Sequence, residues 1–513
     1  MEIRRTLHPQ DLVGCRYRRV LTHVLPDIPP TDASVARRLR LEHSRAQIMA
    51  LLPTRPEKGD NRHFRRIDLE PASVEERWFA TLEAIVTGAH VITNAVVSVV
   101  VDDQEIVVEI DALVRHDSVG YMPVLITNHR IARADEHKTM NVVATRRLGL
   151  GRAHRAKYRL KHHAADTFSL AAAARALDAL GVGCQRAIII GQDFERGFVV
   201  DTDLFQQGLD QALAQPVPFA PHRVKECGHC RYWPQCEQQL LAVDDISLLF
   251  SGEKSWELKK QGIATVAALA QCSSPVEDVA LARAYVGNRK LLKKQDAVSA
   301  PRFDVEIDID VEAYLDRGAY LWGVFDGSSY HPFVTWDELG SEAEARNFAE
   351  FWQWLRERIS KARAAGQSVG VFCYSANGEN HWLRFSAKRF AQFRASIPGV
   401  PSEEEVSEFI SSPLWIDVFA LVRRQLLGTH GLGLKTVAPV AGFCWQVDDL
   451  DGEASVNLYL EATRALTSAQ GADAAREALL TYNSDDCRAT ARVRHFLADG
   501  APGVSTCAEL CMD

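Results

Sequence analysis

Residues 303–314, FDVEIDIDVEAY, alternate apolar and acidic side chains as a β-strand does. Period-two geometry aims Asp308, Asp310 and Glu312 to one side, where a row of carboxylates is costly unless a cation or solvent satisfies it. A turn at 316–318 leads to a second strand, AYLWGVF, over 319–325. Beyond it come a helical pattern over 342–365, a strand in SVGVFCYSANGEN (368–380), helices around Asp417, and LTYNSDDCRATARVRHFL (480–497). The order is β-β-α-β-α-α.

That order, with D-x-E at Asp310-Val311-Glu312 and Y-x-x-x-D at Tyr482 to Asp486, resembles the RNase H-like fold of DEDD-type 3′–5′ exonucleases. The resemblance implies that Asp310, Glu312 and Asp486 hold Mg2+ or Mn2+. It also implies that Glu379, after Asn377, stands where the family usually has Asp, and that Asp417 is a supporting acid. Lys435 lies on the segment that follows. Such chemistry uses two divalent ions about 4 Å apart, one activating water and one stabilising the leaving 3′ oxygen. Tyr482 would orient the attacking water. The longer Glu379 side chain puts that two-ion geometry in question. Read alone, YNSDD at a helix start serves equally well as an Asp N-cap.

A second chemistry-bearing stretch is CGHCRYWPQC, residues 227–236, which spaces three thiols as C-x2-C-x5-C. Cys15, in LVGCRYRRV, stands more than two hundred residues upstream with three arginines close behind. Four soft ligands split this way can clasp the start of a domain to its end around zinc or an iron–sulfur cluster. Buried free cysteines are the alternative. The frame resembles that of the iron–sulfur RecB-like nucleases, CRISPR-associated and AddB-type, over roughly residues 1–240. This resemblance implies a [4Fe–4S] cluster on Cys15, Cys227, Cys230 and Cys236, a choice that spacing alone does not make.

Helical periodicity covers 32–52 and 73–87. AHVITNAVVSVVVDDQEIVVEIDALVRH (89–116) then reads as a hairpin turning at Asp102-Asp103, and YMPVLITNHRI as a further strand. Helix, hairpin and strand suit the mixed α/β core of a RecB-like, PD-(D/E)xK nuclease. In that family a helix His, a second-strand Asp and a (D/E)-x-K bind the divalent metal. His43 matches the first and Asp111 the second. Period-two geometry puts Glu109 on Asp111's face, so the two could share a metal. The third motif is missing, since no acid follows Tyr121 until Asp135 and no lysine falls where it is needed. The site is therefore read as degenerate. Residues 137–165 contain no acid and carry Arg146, Arg147, Arg152, Arg155, Arg159 and Lys161 among other cations, a candidate phosphate-binding run.

Between these halves, residues 258–269 read L-x-x-x-G-I-x-T-V-x-x-L, which resembles a helix–hairpin–helix unit, though a plain helical linker fits equally. The basic segment 280–296 reads as helical, and Ser299-Ala300-Pro301 reads as a boundary. Three parts result: a RecB-like domain (1–240), a helical linker (241–300) and an RNase H-like domain (301–513).

At 513 residues the chain exceeds one core. Its net charge of −8 argues against a nonspecific nucleic-acid coat. Eleven cysteines, no apolar run of membrane length and a start without a signal-peptide core point to the cytoplasm. The leading expectation is a metal-dependent DNA nuclease acting on single strands or ends in repair. The rivals are a non-cutting nucleic-acid-binding scaffold that positions a helicase or nuclease, and a zinc-stabilised RNA exonuclease. No Walker A motif is present, so unwinding would need a separate helicase.

Overall fold

The computed structural model describes residues 6–56, 63–70, 72–116, 120–315, 317–447, 452–463 and 469–511. The chain divides into two compact units, Met1–Leu240 and Leu241–Asp513. Asp316, in the expected 316–318 turn, lies outside the described residues.

The first unit is built on a nine-stranded sheet. Val91–Val101 and Gln104–Arg115 form its long hairpin. The turn falls at Asp102 and Asp103, both at positive φ (48° and 62°), the conformation that two-residue hairpin loops require. Tyr121–Ile126 pairs antiparallel with the hairpin and parallel with Arg186–Ile190. The helix Ala164–Ala179 buries a run of alanines against the sheet, where small side chains allow close approach. A separate two-stranded ribbon joins Ala132–Ala134 to Tyr158–Leu160.

The second unit contains a five-stranded sheet in the order Tyr330–Val334, Gly318–Phe325, Val305–Tyr314, Val369–Cys373, Trp415–Asp417. The first three pair antiparallel and the last two parallel. Val305, Ile307 and Ile309 turn one face of the central strand into a core with Trp322, Phe348 and Phe351 of neighbouring elements. The intervening acids face the other way, toward the 30-residue helix Ala469–Ala498. YNSDD therefore lies inside a helix, not at its start, so Asp485 and Asp486 are not N-caps.

Residues 241–300 belong to this same compact unit. Glu253–Lys260 and Val266–Ala270 flank a turn at Gly262 (φ 86°), and Leu258, Val266 and Leu269 share a core with Val279. The helix over the basic segment ends at Val286. Leu291–Lys293 is instead a strand, paired antiparallel with Leu426–Gly428.

Candidate active site

The central strand aims Glu306, Asp308, Asp310 and Glu312 at one helix, and the row divides in two. Arg494, 1% exposed, bonds both oxygens of the fully buried Asp308 at 2.9 Å. It also reaches Glu306, which accepts from His495 at 3.1 Å as well. Burial alone would lower the Arg494 pKa, but these carboxylates outweigh it and hold it above its ordinary value. Half of the row is thus answered by an internal cation.

The other half is not. Asp310, Glu312 and Asp486 each offer an oxygen within 4.8 Å of the other two, a three-ligand set for a metal ion. Burial, then the charges of Asp486, Glu312 and Glu379, lift Asp310 well above the usual carboxylate range. Burial and the same neighbours push Glu312 up to about 8. Burial raises Asp486 to about 6 despite bonds from Trp445 and Tyr482. Lys435 lies within electrostatic reach and pulls Glu312 and Asp486 down, but less than burial and repulsion push them up. Its ammonium sits 5.1 Å from the centre of the Tyr482 ring.

Glu379, in the helix Asn377–Arg389, is buried, and its Oε2 has no hydrogen-bond partner. Burial and Asp417 raise it to about 8. A crowded, half-buried carboxylate set beside an orphaned buried carboxylate oxygen fits divalent cations, which answer both defects at once. Asp417 borders Glu379 but lies outside the three-ligand set. Its Oδ1 accepts from Ser375 N at 3.0 Å and Ala420 N at 3.2 Å, capping the helix Val418–Gln425. The Tyr482 hydroxyl bonds Asp486 one helical turn on, so in this structure it orients a carboxylate.

Three neighbours escaped the sequence reading. Asn483 donates to Asp310 Oδ2 at 2.7 Å and accepts from the Tyr330 hydroxyl at 2.7 Å. Gly323 makes room for it, because a Cβ there would stand 1.6 Å from Asn483 Oδ1. Trp445 Nε1 donates to Asp486 Oδ1 at 2.7 Å, and Gln446 donates twice to Asp485. Only the glycine inside an otherwise bulky strand, AYLWGVF, marked one of these approaches in the sequence.

In the first unit the expected shared site of Glu109 and Asp111 does not form. Asp111 is buried, ion-paired to Arg45 at 2.7 Å and bonded by Ile126 N at 2.6 Å. Glu109 is half exposed and pairs with Arg77. The strand's alternation slips between them: Ile106, Val108 and Ile110 share one core with Leu113, while Ala112 and Val114 face another. His43 is exposed and meets Gln47 at 3.0 Å.

Cys15, just before the helix Tyr17–Val24, packs with Cys230, Cys236, Tyr17 and Tyr232. Cys227 lies within the 3-10 turn Lys225–His229, its Sγ accepting from Val224 N at 3.3 Å. Burial, then Cys15, Cys230 and Cys227, push the Cys236 thiol up to about 12. Burial, with the neighbouring thiols, also raises Cys15 and Cys227; such a group, with Arg18 beside Cys15 and Arg223 beside Cys227, fits a cationic or cluster centre bound as thiolates.

Arg146 and Arg147 lie in a 3-10 turn, Thr145–Arg147, while Arg152, Arg155, Arg159 and Lys161 are exposed. Among the described residues no helix is long and apolar enough to cross a membrane.

No curated protein matches the chain. The solved structure titled "Crystal structure of SSO0001" is similar over 47% of this chain and 89% of that one, at 13% identity and a TM-score of 0.24, too slight a likeness to bear on the fold. The sequence model of the RNase H superfamily (RNase_H_2) matches residues 307–498, from the central acidic strand to the end of the long helix that completes its metal-ligand set. The second unit therefore carries an RNase H-like domain.

Proposed function

We propose that the chain is a metal-dependent 3′–5′ exonuclease acting on single-stranded DNA or DNA ends in repair, with its chemistry in the RNase H-like domain. The observation that carries this reading is the division of one acidic row. Glu306 and Asp308 are ion-paired to Arg494, whereas Asp310 and Glu312 meet Asp486 in a set that still needs positive charge. Mg2+ or Mn2+ there supplies a Lewis acid for the phosphoryl oxygen and lowers the pKa of a nearby water. Asp310, Glu312 and Asp486 would hold it, with Glu379 available to a second ion. Asn483 and Trp445 fix the rotamers of Asp310 and Asp486, and Tyr482 holds the latter through its hydroxyl. Lys435 offers positive charge beside the set as phosphate charge builds.

The same reading gives the first unit a [4Fe–4S] clasp on Cys15, Cys227, Cys230 and Cys236 and a non-cutting RecB-like core. Arginine-rich flanks suit an anionic thiolate centre. The Arg45 and Arg77 pairs favour a nucleic-acid-positioning role for this unit over cleavage.

The decisive test is degradation of end-labelled single-stranded DNA with Mn2+ or Mg2+ by wild type and Asp310→Ala. Loss confined to the variant supports the reading, and equal activity overturns it. Anaerobically purified protein should be brown and contain iron. Cys227→Ala should lose the colour and destabilise the first unit; colourless protein with one zinc per chain refutes the cluster.

A further inference from the structure

A cleft of about 1180 Å³ opens in the first unit where Arg186–Ile190 begins and Arg196–Asp201 ends, with the Ala132–Ala134/Tyr158–Leu160 ribbon as one wall. Arg133, Lys138, Arg159, Lys161 and Arg186 line it, all exposed. Asp201 and Asp203 also line it, so cations exceed anions by three, five minus two. Arg133 stands directly opposite Arg159 in the ribbon register. Like charges opposed across two strands are destabilising, and Arg159 is offset by Asp135 at 3.5 Å. Tyr158, held edge-on 5.2 Å from Phe198, adds a fixed aromatic ring to the lining. The cavity exceeds the range of about 300–1,000 Å³ usual for a small ligand, so an extended polyanion suits it better.

We infer that this cleft binds single-stranded nucleic acid, its cations meeting successive phosphates and Tyr158 a base. Cations along a groove beside an aromatic face are the elements of single-strand sites, and a duplex keeps its bases stacked away from such a ring. The inference rests on nucleic acid being the substrate, and it moves the contact surface. Arg159 and Lys161 stay in it, Arg133, Lys138 and Arg186 join from other elements, and Arg146, Arg147, Arg152 and Arg155 fall outside the lining.

The test is fluorescence anisotropy with a labelled single-stranded oligonucleotide and the full-length protein in EDTA, titrated with salt. Each phosphate contact contributes about 0.7 to the slope of log K against log salt on a single strand. Arg133→Ala/Lys161→Ala/Arg186→Ala should therefore flatten the slope by about 2 and weaken binding at least about tenfold at low salt. The control Arg146→Ala/Arg147→Ala/Arg152→Ala removes equal charge and should bind like wild type. Equal loss in both variants, an unchanged slope in the cleft variant, tighter binding of duplex, or equal competition by polyglutamate of matched charge overturns the inference. Should the triple variant misfold by circular dichroism, Arg133→Gln and Lys161→Gln singly should each flatten the slope by about 0.7. Because binding is read in EDTA and hydrolysis in a separate assay with Mn2+, intact binding without Mn2+-dependent hydrolysis would sink the proposed chemistry and leave the cleft standing.

Discussion

Glu109 and Asp111 in the first unit and Asp310 and Glu312 in the second are both alternate acids on a long strand, and the chain treats them oppositely. Arg77 and Arg45 answer the first pair one to one, and the two side chains differ in burial, 49% against 6% exposed. The second pair is joined by a third acid from a distant helix, and its charges reinforce one another. Spacing alone therefore does not make a metal site; what matters is whether the fold supplies its own counter-charge. A satisfied carboxylate is structural, whereas a crowded one awaits a ligand.

The comparison breaks most sharply by substitution. Asp310→Asn should lower kcat on single-stranded DNA by about 10³-fold or more, since the metal's charge stabilisation goes with its ligand. Asp111→Ala should leave kcat within about twofold of wild type, well inside one RT-scale rate effect. If Asp111→Ala abolishes turnover and Asp310→Asn does not, the roles of the two units are reversed.

Next in size is the paired half of the acidic row. Arg494→Met strands Asp308 without its partner in a fully buried position. Chemical denaturation should show a loss of about 3–5 kcal/mol. The Asp308→Asn/Arg494→Met double variant should recover part of it, because Asp308's buried charge is then gone and Glu306 keeps His495.

Positioning effects should be smaller. Trp445→Phe keeps the ring and removes the N–H that fixes Asp486. Mn2+ affinity by calorimetry should fall about 10–100-fold with the melting temperature in EDTA little changed. An equal drop in stability without a change in affinity would make the indole a packing residue.

pH bears on the crowded acids of the second unit. Glu312 and Glu379 are raised to about 8 and Asp486 to about 6, so the folded second unit holds protons that the unfolded chain has released. Their contribution to stability is full below the unfolded carboxylate pKa of about 4 and is lost as pH rises through about 6 to 8. In EDTA the melting temperature should therefore fall between pH 5 and pH 8. Mn2+ should restore it at pH 8 and do little at pH 5, where the ligands remain protonated. The smallest effect belongs to Arg45→Met: its side chain is 40% exposed, so solvent screens the pair and about 1 kcal/mol is expected from denaturation.

Much of the second unit was legible because its signals are local. Alternation in residues 303–314, the following hydrophobic strand and the acids of YNSDD all lie within short windows, and the RNase H-like match runs between them. What joins them was not legible. Arg494 and Asp308 are 186 positions apart, and no local rule says which arginine will enter which row. The N-cap alternative failed because the helix begins at Ala469, well before any polar start signal in YNSDD. In the first unit the hairpin and its Asp-Asp turn were readable, but the side of the strand on which Asp111 falls was not. The alternation slips there opposite Asn94, which has φ 55°, a backbone state that one sequence does not announce.

The long helix Ala469–Ala498 carries Asn483, Asp486 and Arg494 on one continuous rod. Eight residues separate ligand from ion-pair partner, about 12 Å of helix at 1.5 Å per residue. The rod is thus indexed on the acidic strand at both ends, like a key with two bits in one lock. Sliding it by a turn, about 5.4 Å, would disengage Arg494 and Asp486 together. Half-seated states have neither the buried ion pair nor the ligand set. Inactivation and unfolding of this unit should consequently share one transition, with no partially active species between.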